Sequence, residues 1–174
     1  MLKQGYPGII VYAPIFRDGV YLGETVGVGV ACFLEKSGLG PVDGVRISVD
    51  TTGTVEVVTS AASVGQGVET VMAQICADAL GVDYQRVRVV HGRTDRIDYG
   101  FGAHAARVTV MTGSATHIAA LKLRAKAIEI AAADLMEATP EALDIVDGKI
   151  VRKDRPEGPS VTLGEVAKAL APAA

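Results

Sequence analysis

The chain has 174 residues, of which 49% are hydrophobic and 21% are charged, and its formal net charge is −3. This length predicts one folded domain with a core of its own, or at most one domain with an appendage, and the composition is too apolar for intrinsic disorder. A slightly acidic chain gives no electrostatic reason to expect nucleic acid or an anionic membrane as partner. With 20 glycines and only 5% aromatic residues, it is also no stacking platform for bases or sugars.

The two cysteines, Cys32 and Cys76, have neither a disulfide pattern nor a metal-ligand spacing. Both lie in apolar runs, so we predict that each is a small, buried hydrophobic residue. The N-terminal residues lack the basic and apolar regions of a secretory signal. No apolar run approaches the ~20 residues needed to cross a bilayer. We therefore expect a cytoplasmic protein with no membrane partner.

The N-terminal part of the chain is rich in glycine and β-branched residues. Residues 1–22 contain several glycines and prolines and predict a lead-in segment with little structure of its own. Residues 24–35 predict a buried strand in which glycines permit close backbone approach. We accordingly divide the chain into a lead-in segment, 1–22, and a domain, 23–174.

The next segments predict a hairpin followed by a helix. Apolar and polar residues alternate at 45–49 and again at 55–57, with a Gly-containing turn at 50–53 between them. From Val68 to Leu80 the apolar residues recur with the helical period. Gly81 then supplies the glycine that commonly ends a helix.

The second half of the chain begins with a predicted strand at 87–91 and a Gly-rich loop at 92–106. This loop is longer than ordinary connections and is therefore functional or mobile. An Ala-rich helix is predicted over 107–137. The remaining signals are a short helix at Thr139-Pro140-Glu141, a hairpin at Asp147-Gly148 and a capping box at Thr162–Glu165 that opens a last helix. Together they predict an α+β fold, a two-layer sandwich of mostly antiparallel sheet with helices on one face.

Two glycine-rich segments precede predicted helices, the turn Gly65-Gln66-Gly67 and the long loop from Gly92 to Thr109. At a helix N-terminus the unpaired N–H groups and the positive helix end attract anions, and glycine lets a phosphate approach closely. Two such N-termini can converge on one polyanionic ligand, with Arg107 and Thr109 as further donors. The alternative is that Arg107 is a solvated residue in the first turn of its helix.

Other kinds of site fit the sequence poorly. The dinucleotide fingerprint requires a glycine where Thr70 stands, and an acidic residue after the next strand, where the chain has 91–93 as His-Gly-Arg. The histidines show no metal-ligand spacing, and there is no nucleophile elbow. We predict no metal ligand and no self-contained catalytic centre.

A series of short motifs follows in a defined order. They are Val64-Gly65-Gln66-Gly67, Glu69-Thr70, Ala73-Gln74-Ile75, Ala79-Leu80-Gly81, Val87-Arg88-Val89, Gly92-x-Thr94-Asp95, Tyr99-Gly100-x-Gly102, Arg107-x-Thr109 and Gly113-Ser114-Ala115. In this order and spacing they resemble the molybdenum-cofactor-binding subunit of the xanthine dehydrogenase/aldehyde oxidase family, which includes the carbon monoxide dehydrogenase large chain. The resemblance covers residues 23–165.

The resemblance implies a domain that helps to bind molybdopterin, often as the cytosine dinucleotide, with molybdenum present only in the full assembly. The family hydroxylates aldehydes and N-heterocycles with oxygen from water. Its electrons leave through iron–sulfur clusters and FAD on other domains or subunits. Implied partners are the remainder of the molybdenum subunit and the iron–sulfur and FAD subunits, in an oligomer. The implied cofactor-binding residues are Gly65, Gln66, Gly67, Thr94, Asp95, Gly102, Ala106, Arg107 and Thr109.

The sequence departs from the family pattern at three points. The family's Gly-Ser-Arg-Ser-Thr reads as Ala at Ala105 and Ala106 and as Val at Val108, so two hydroxyl donors are missing, and Arg93 stands where the family has Asp. The family's catalytic Glu, in a Gly-Glu-Pro stretch of a much longer chain, is not in this sequence. The chain therefore resembles a fragment, inactive alone. The alternative is a non-catalytic binding or assembly domain that keeps the fold without the cofactor.

Overall fold

The computed structural model describes residues 4–5, 9–18, 20–29 and 32–170, and the chain divides into two compact units, 1–36 and 37–174. The strands of the first unit are β1 (Gln4–Gly5), β2 (Ile9–Arg17), β3 (Val20–Gly29) and β4 (Cys32–Phe33). β2 and β3 form a long antiparallel hairpin, and β1 pairs antiparallel with β4.

The hairpin replaces the lead-in segment of little structure that was expected at 1–22. Its first strand is rich in β-branched and aromatic residues, and Pro14 is tolerated because each strand of a two-stranded sheet is an edge. The division of the chain at residue 22 stays a prediction, and β3 runs across it. The predicted burial of the strand at 24–35 lies largely outside the described side chains.

The two cysteines differ. Cys76 is fully buried in the core, as predicted, and burial raises the pKa of its thiol to about 12. Cys32 is exposed, so the prediction that it is buried is wrong. Its apolar sequence neighbours suggested a core position, but a two-residue strand paired with one other short strand need not cover both of its faces.

The second unit is built around a three-stranded sheet. Its elements are β5 (Val45–Val49), β6 (Val55–Thr59), the helix α1 (Val68–Leu80) and β7 (Val87–Val90). β5 and β6 form the predicted antiparallel hairpin, whereas β7 lies parallel to β6. The parallel pair arises because α1 carries the chain back along the sheet before β7 begins.

A single long helix follows the glycine-rich loop. Its central part is α2 (Gly113–Ile130), and wider π-helical turns extend it at Val108–Thr112 and Ala131–Leu135. These bounds confirm the Ala-rich helix predicted over 107–137.

The C-terminal elements are β8 (Leu143–Val146), β9 (Lys149–Arg152), β10 (Val161–Thr162) and α3 (Leu163–Ala169). The three strands form a second antiparallel sheet in the order β10-β9-β8. The predicted turn is present, because Asp147 and Gly148 both have positive φ, 49° and 75°. The predicted capping box is present too.

One hydrophobic core joins the helices and strands of the second unit, 37–174, which confirms the α+β fold. α1 packs on β7 and on α2, and α2 packs on β5. The largest fully buried apolar side chains of this core include Leu80, Leu143, Ile150, Val55 and Val57. A smaller cluster of Ala61, Val68, Met72 and Val108 lies where α1 and the long helix begin. In the described part of the chain, no helix is both long enough and apolar enough to span a bilayer.

Candidate anion-binding cleft

Two segments that are distant in sequence line one cleft of about 360 Å³. One is the segment before α1, of which Val64 and Gln66 line the cleft. The other is the loop 102–109, whose residues from Ala103 onward line the opposite side together with Val110. The structure thus brings the two predicted helix N-termini to a common opening.

The turn 65–67 leaves the first N–H groups of α1 without a side-chain cap. Gly67 is the N-cap residue, with φ of 73°, and its carbonyl accepts from Val71 N–H at 3.1 Å. The N–H groups of the first helical turn have no carbonyl partner within the helix, so they suit an anion. A Cβ added at Gly65 or Gly67 would meet nothing within 4 Å, so positive φ, rather than crowding, requires glycine there.

Gln66 fixes the shape of this turn. Its Oε1 accepts from Val64 N–H at 2.6 Å, and its Nε2 donates to the Ala62 carbonyl at 2.9 Å. A side-chain amide has two N–H donors, and only one of them is used by Ala62. Gln66 is exposed, so its second N–H is available to a ligand in the cleft.

A carboxylate already lies near the same helix end. Glu69 in the first turn of α1 lies 2.5 Å from Nε2 of His91, which follows β7. Its own backbone N–H, and secondarily His91, hold the pKa of Glu69 below its usual range. This carboxylate therefore uses one of the N–H groups at the helix N-terminus and places a negative charge there, as the helix dipole favours.

The loop 102–109 has an unusual backbone. Ala105 and Ala106 have φ of 46° and 51°, in the left-handed region that non-glycine residues seldom adopt. Each such residue costs on the order of 1–3 kcal/mol and persists only where its surroundings enforce it. Both residues line the cleft, so the strain lies at the candidate site.

Arg107 is the most deeply buried charged residue of the loop, with 1% of its surface exposed. Its Nε donates to the Leu39 carbonyl at 2.6 Å, and its Nη2 donates to the Val42 carbonyl at 3.2 Å. Its Nη1 donates to Asp43 at 3.0 Å and to the Gly102 carbonyl at 3.2 Å. The alternative of a solvated first-turn arginine is therefore wrong. Its guanidinium donates to acceptors in the segment 39–43 and to Gly102, and it does not face solvent.

The other site residues are distributed over two places. Thr109 lines the cleft with Gln66, Ala106 and Arg107, whereas Thr94 and Gly102 line a neighbouring cleft of about 450 Å³. Gly102 and Ala103, adjacent in the chain, belong one to each cleft.

Asp95 lines neither cleft. Its carboxylate accepts two hydrogen bonds from Arg93, at 2.8 and 2.6 Å, and these lower its pKa. Arg93, which replaces the family's acidic residue, thus forms an ion pair with Asp95. Next to the pair, Arg96 donates to Glu56 on β6 at 2.6 and 3.2 Å and ties the long loop to the sheet.

Sequence reasoning did not identify Asp43. It lies in the glycine-rich segment before β5, and its carboxylate accepts from Arg107, from Thr112 Oγ1 at 2.6 Å and from Ser60 Oγ at 3.2 Å. No local pattern singles it out, because its main partner is 64 positions away in the chain.

The chain is similar in sequence to a known family and to known proteins. Residues 15–173 match the family model described as a molybdopterin cofactor-binding domain. The chain is 37% identical over 150 residues to subunit gamma of the 6-hydroxypseudooxynicotine dehydrogenase complex of Paenarthrobacter nicotinovorans, a match that covers 86% of this chain and 18% of that protein. It is 37% identical over 146 residues to the xanthine dehydrogenase molybdenum-binding subunit of Escherichia coli O157:H7, covering 81% of this chain and 19% of that subunit.

A solved structure is similar as well. The crystal structure of quinoline 2-oxidoreductase from Pseudomonas putida 86 matches with a TM-score of 0.64 and 38% identity, over 73% of this chain and 16% of that one. The chain therefore spans less than a fifth of the length of the relatives it matches.

Proposed function

The chain belongs to the family of molybdopterin cofactor-binding domains, and from that premise we propose that its cleft holds the phosphate and pterin end of the cofactor. The observation that carries this proposal is that Val64 and Gln66, before α1, and residues 103–110, at the start of the long helix, line one cleft. Either segment alone is an ordinary helix start. Together they offer donors from two directions to a single anionic ligand.

The donors present fit this group. Molybdopterin carries a phosphate, which suits the N–H groups at the start of α1 that Glu69 does not take, and a pterin ring, whose polar edge suits an amide such as the second N–H of Gln66. Thr109 adds a hydroxyl on the other side of the cleft. Thr94 and Gly102, in the neighbouring cleft, would contact a more extended form of the cofactor such as its cytosine dinucleotide.

Not every proposed residue would touch the ligand with its side chain. The Arg107 guanidinium is occupied by acceptors within the protein, and Asp95 by Arg93. We expect these two residues to shape the loops on which the donors stand. Ala106 and Gly65 offer backbone only, so they contribute through chain conformation.

The whole protein of which this domain is part would be a molybdenum hydroxylase. When bound, the cofactor supplies the oxidation by which this family hydroxylates its substrates with oxygen from water. Xanthine and quinoline, which appear in the names of two similar proteins, are N-heterocycles, so an N-heterocycle or an aldehyde is the proposed substrate class. One relative is named as a subunit of a complex, which supports iron–sulfur and FAD subunits as partners.

A second function is favoured by one observation. Ala106 and Val108 offer no hydroxyl to the cleft, at positions where the family has serine. A domain that keeps the fold without the cofactor, as a binding or assembly module, agrees with that loss. Molybdenum and pterin content separates the two functions.

The test is to purify the protein from its own host, with the subunits it assembles with, and to measure molybdenum and released pterin per polypeptide. Stoichiometric amounts of both are expected. Release of a cytosine nucleotide on hydrolysis would identify the dinucleotide form. A fully assembled protein without molybdenum would support the non-catalytic module instead.

A substitution tests whether the cofactor binds in this cleft. In Gln66→Glu the carboxylate still accepts from Val64 N–H, but it cannot donate to Ala62 and it places a negative charge in the cleft. We expect at least a 10-fold lower affinity for the cofactor, or about 1.4 kcal/mol. Gln85→Glu is the matched control, because it makes the same charge change at an exposed position that does not line the cleft. Equal cofactor content in both variants would contradict the assignment.

A further inference from the structure

We propose that Asp43 is a positioning residue, whose buried carboxylate acts through Arg107 to hold the loop 102–109 in its cofactor-binding conformation. The inference rests on the proposed function, because it is the cleft that gives this loop its task. It concerns a segment, residues 38–44, that contributes no residue to the cleft itself.

The Asp43–Arg107 ion pair lies entirely inside the protein. Nη1 of Arg107 is 2.9 Å from Oδ2 of Asp43, and neither side chain has any exposed surface. Two charges can be buried only where good geometry and further hydrogen bonds offset the loss of water. Thr112 and Ser60 provide these bonds by donating to the two oxygens of the carboxylate, at 2.6 and 3.2 Å.

The ion pair is hydrogen-bonded to both ends of the loop. Arg107 stands at the end of the loop, and its Nη1 also donates to the carbonyl of Gly102, at the start. Between these points, Gly38 N–H donates to the carbonyl of Ala105 at 2.9 Å. The segment 38–44 therefore holds the end of the loop through Arg107 and one of its two strained residues through Gly38, while Arg107 itself bonds the start of the loop at Gly102.

The guanidinium has little room to choose another arrangement. The ring of Phe101 lies 5.0 Å from its central carbon, in cation–π contact. A Cβ added at Gly40 would come within 2.7 Å of Cδ1 of Phe101 and 3.1 Å of Nε of Arg107. Because Phe101 and the backbone at Gly40 lie close to the guanidinium, it has little space to turn. Its direction is therefore set by its acceptors, the Asp43 carboxylate and the surrounding carbonyls.

Stability alone does not account for this arrangement. A buried ion pair can often be replaced by well-packed apolar residues without loss of stability. An apolar contact is not directional, however, and would not hold the positive φ angles of Ala105 and Ala106. The directional bonds of the pair match a requirement for one loop conformation, the conformation that lines the cleft.

The test compares Asp43→Asn with the wild-type protein, purified with the subunits it assembles with. Asparagine keeps the shape of the side chain and removes its charge. The matched control is Asp154→Asn, which removes the same charge from an Arg–Asp pair on the surface, with Arg152, away from the cleft. Two quantities are measured: amide hydrogen exchange along the chain, without cofactor, and the rate at which molybdopterin is lost from the loaded protein.

In Asp43→Asn we expect at least 10-fold faster exchange at 102–110, unchanged exchange in β5, β6 and β7, and at least 10-fold faster loss of molybdopterin. The control should match the wild type in all three. Unchanged exchange in the loop would overturn the proposal, and so would faster exchange with normal cofactor retention. Faster exchange throughout the sheet would overturn it too, since it would show a general structural role.

If Asp43→Asn does not fold, Thr112→Val replaces it, since it removes one hydrogen bond from the carboxylate at nearly constant shape. It should raise loop exchange and cofactor loss by about 3-fold or more, again without change in the sheet, and no change in either would overturn the proposal. A wild-type protein that carries no molybdopterin would refute the proposed function. The exchange experiment needs no cofactor, so it would still decide whether Asp43 holds the loop.

Discussion

Glycine residues with the same backbone conformation have different roles in this chain. Gly81 ends α1 with φ of 86°, and a Cβ placed there would lie 2.5 Å from the carbonyl oxygen of Ile145. Gly148, in the β8–β9 turn, has φ of 75°, but its nearest neighbour would be Val82 Cγ1 at 3.7 Å. The first position requires glycine for conformation and space, the second for conformation alone.

This difference predicts unequal effects of alanine. Gly148→Ala should cost about 1–2 kcal/mol, the usual penalty for a left-handed alanine. Gly81→Ala should cost about 2–4 kcal/mol, because β8 must also move away from the new methyl group. Denaturant unfolding of both variants measures the difference. Equal losses would show that the contact with Ile145 is relieved at no cost.

At the scale of elements, α3 depends on its first turn. The N-cap of this seven-residue helix is Thr162, whose Oγ1 accepts from Glu165 N–H at 3.2 Å while the Glu165 carboxylate accepts from Thr162 N–H at 2.7 Å. The hydrogen bonds from the backbone N–H and the hydroxyl of Thr162 lower the pKa of Glu165. So short a helix is marginal alone and is held by its cap and by the burial of Leu163 and Val166.

Thr162→Ala should therefore reduce the free energy of unfolding by about 1 kcal/mol at neutral pH. Because the folded pKa of Glu165 is lowered, its contribution is present above the unfolded pKa and is lost as the pH falls through the folded value. The difference between variant and wild type should accordingly shrink in acid. Thr139→Ala is the control, since Thr139 precedes a helical turn but makes no side-chain cap. A pH-independent difference would contradict the capping role of Glu165.

Local patterns predicted the elements whose cause is local. The helix from Val68 to Gly81, the Asp147-Gly148 turn and the capping box at Thr162 each follow from neighbouring residues, and all are present. The parallel pairing of β7 with β6 was not predicted, because periodicity gives a strand no direction. The β2–β3 hairpin was missed because Gly and Pro suggested an irregular segment.

The candidate cleft shows the same limit. The motif around Gln66 and the loop before Thr109 were recognisable from their residues, and the structure joins them in one cleft. The carboxylate that bonds Arg107 at the end of this loop was not recognisable from the sequence. Asp43 is one acidic residue in a loop, and only the folded chain brings it to Arg107.

For the whole molecule, the cleft rests on the packing of two helices. The small cluster of Val68, Met72, Val108 and Ala61 joins the start of α1 to the start of the long helix, and its Val108 also lines the cleft. A ligand that binds both segments should therefore stabilise the folded unit as a whole. It binds the native state only, since the unfolded chain has no cleft.

Removal of molybdopterin should thus lower the Tm of the protein. At a free cofactor concentration of 100 times Kd, the stabilisation is about 2.7 kcal/mol. Scanning calorimetry of loaded and cofactor-free protein measures it, with Gln66→Glu expected to show a smaller difference than Gln85→Glu. An unchanged Tm after removal would mean that the cofactor binds elsewhere in the assembly.

The long separation between Asp43 and Arg107 also sets an order of events during synthesis. The bond between them closes a loop of 64 positions, and such distant contacts form slowly. A ribosome-bound chain that has not yet exposed Arg107 can already contain the turn at Gln66, yet it lacks the opposite wall of the cleft. If the cleft holds the cofactor as proposed, loading has to follow translation of the long helix.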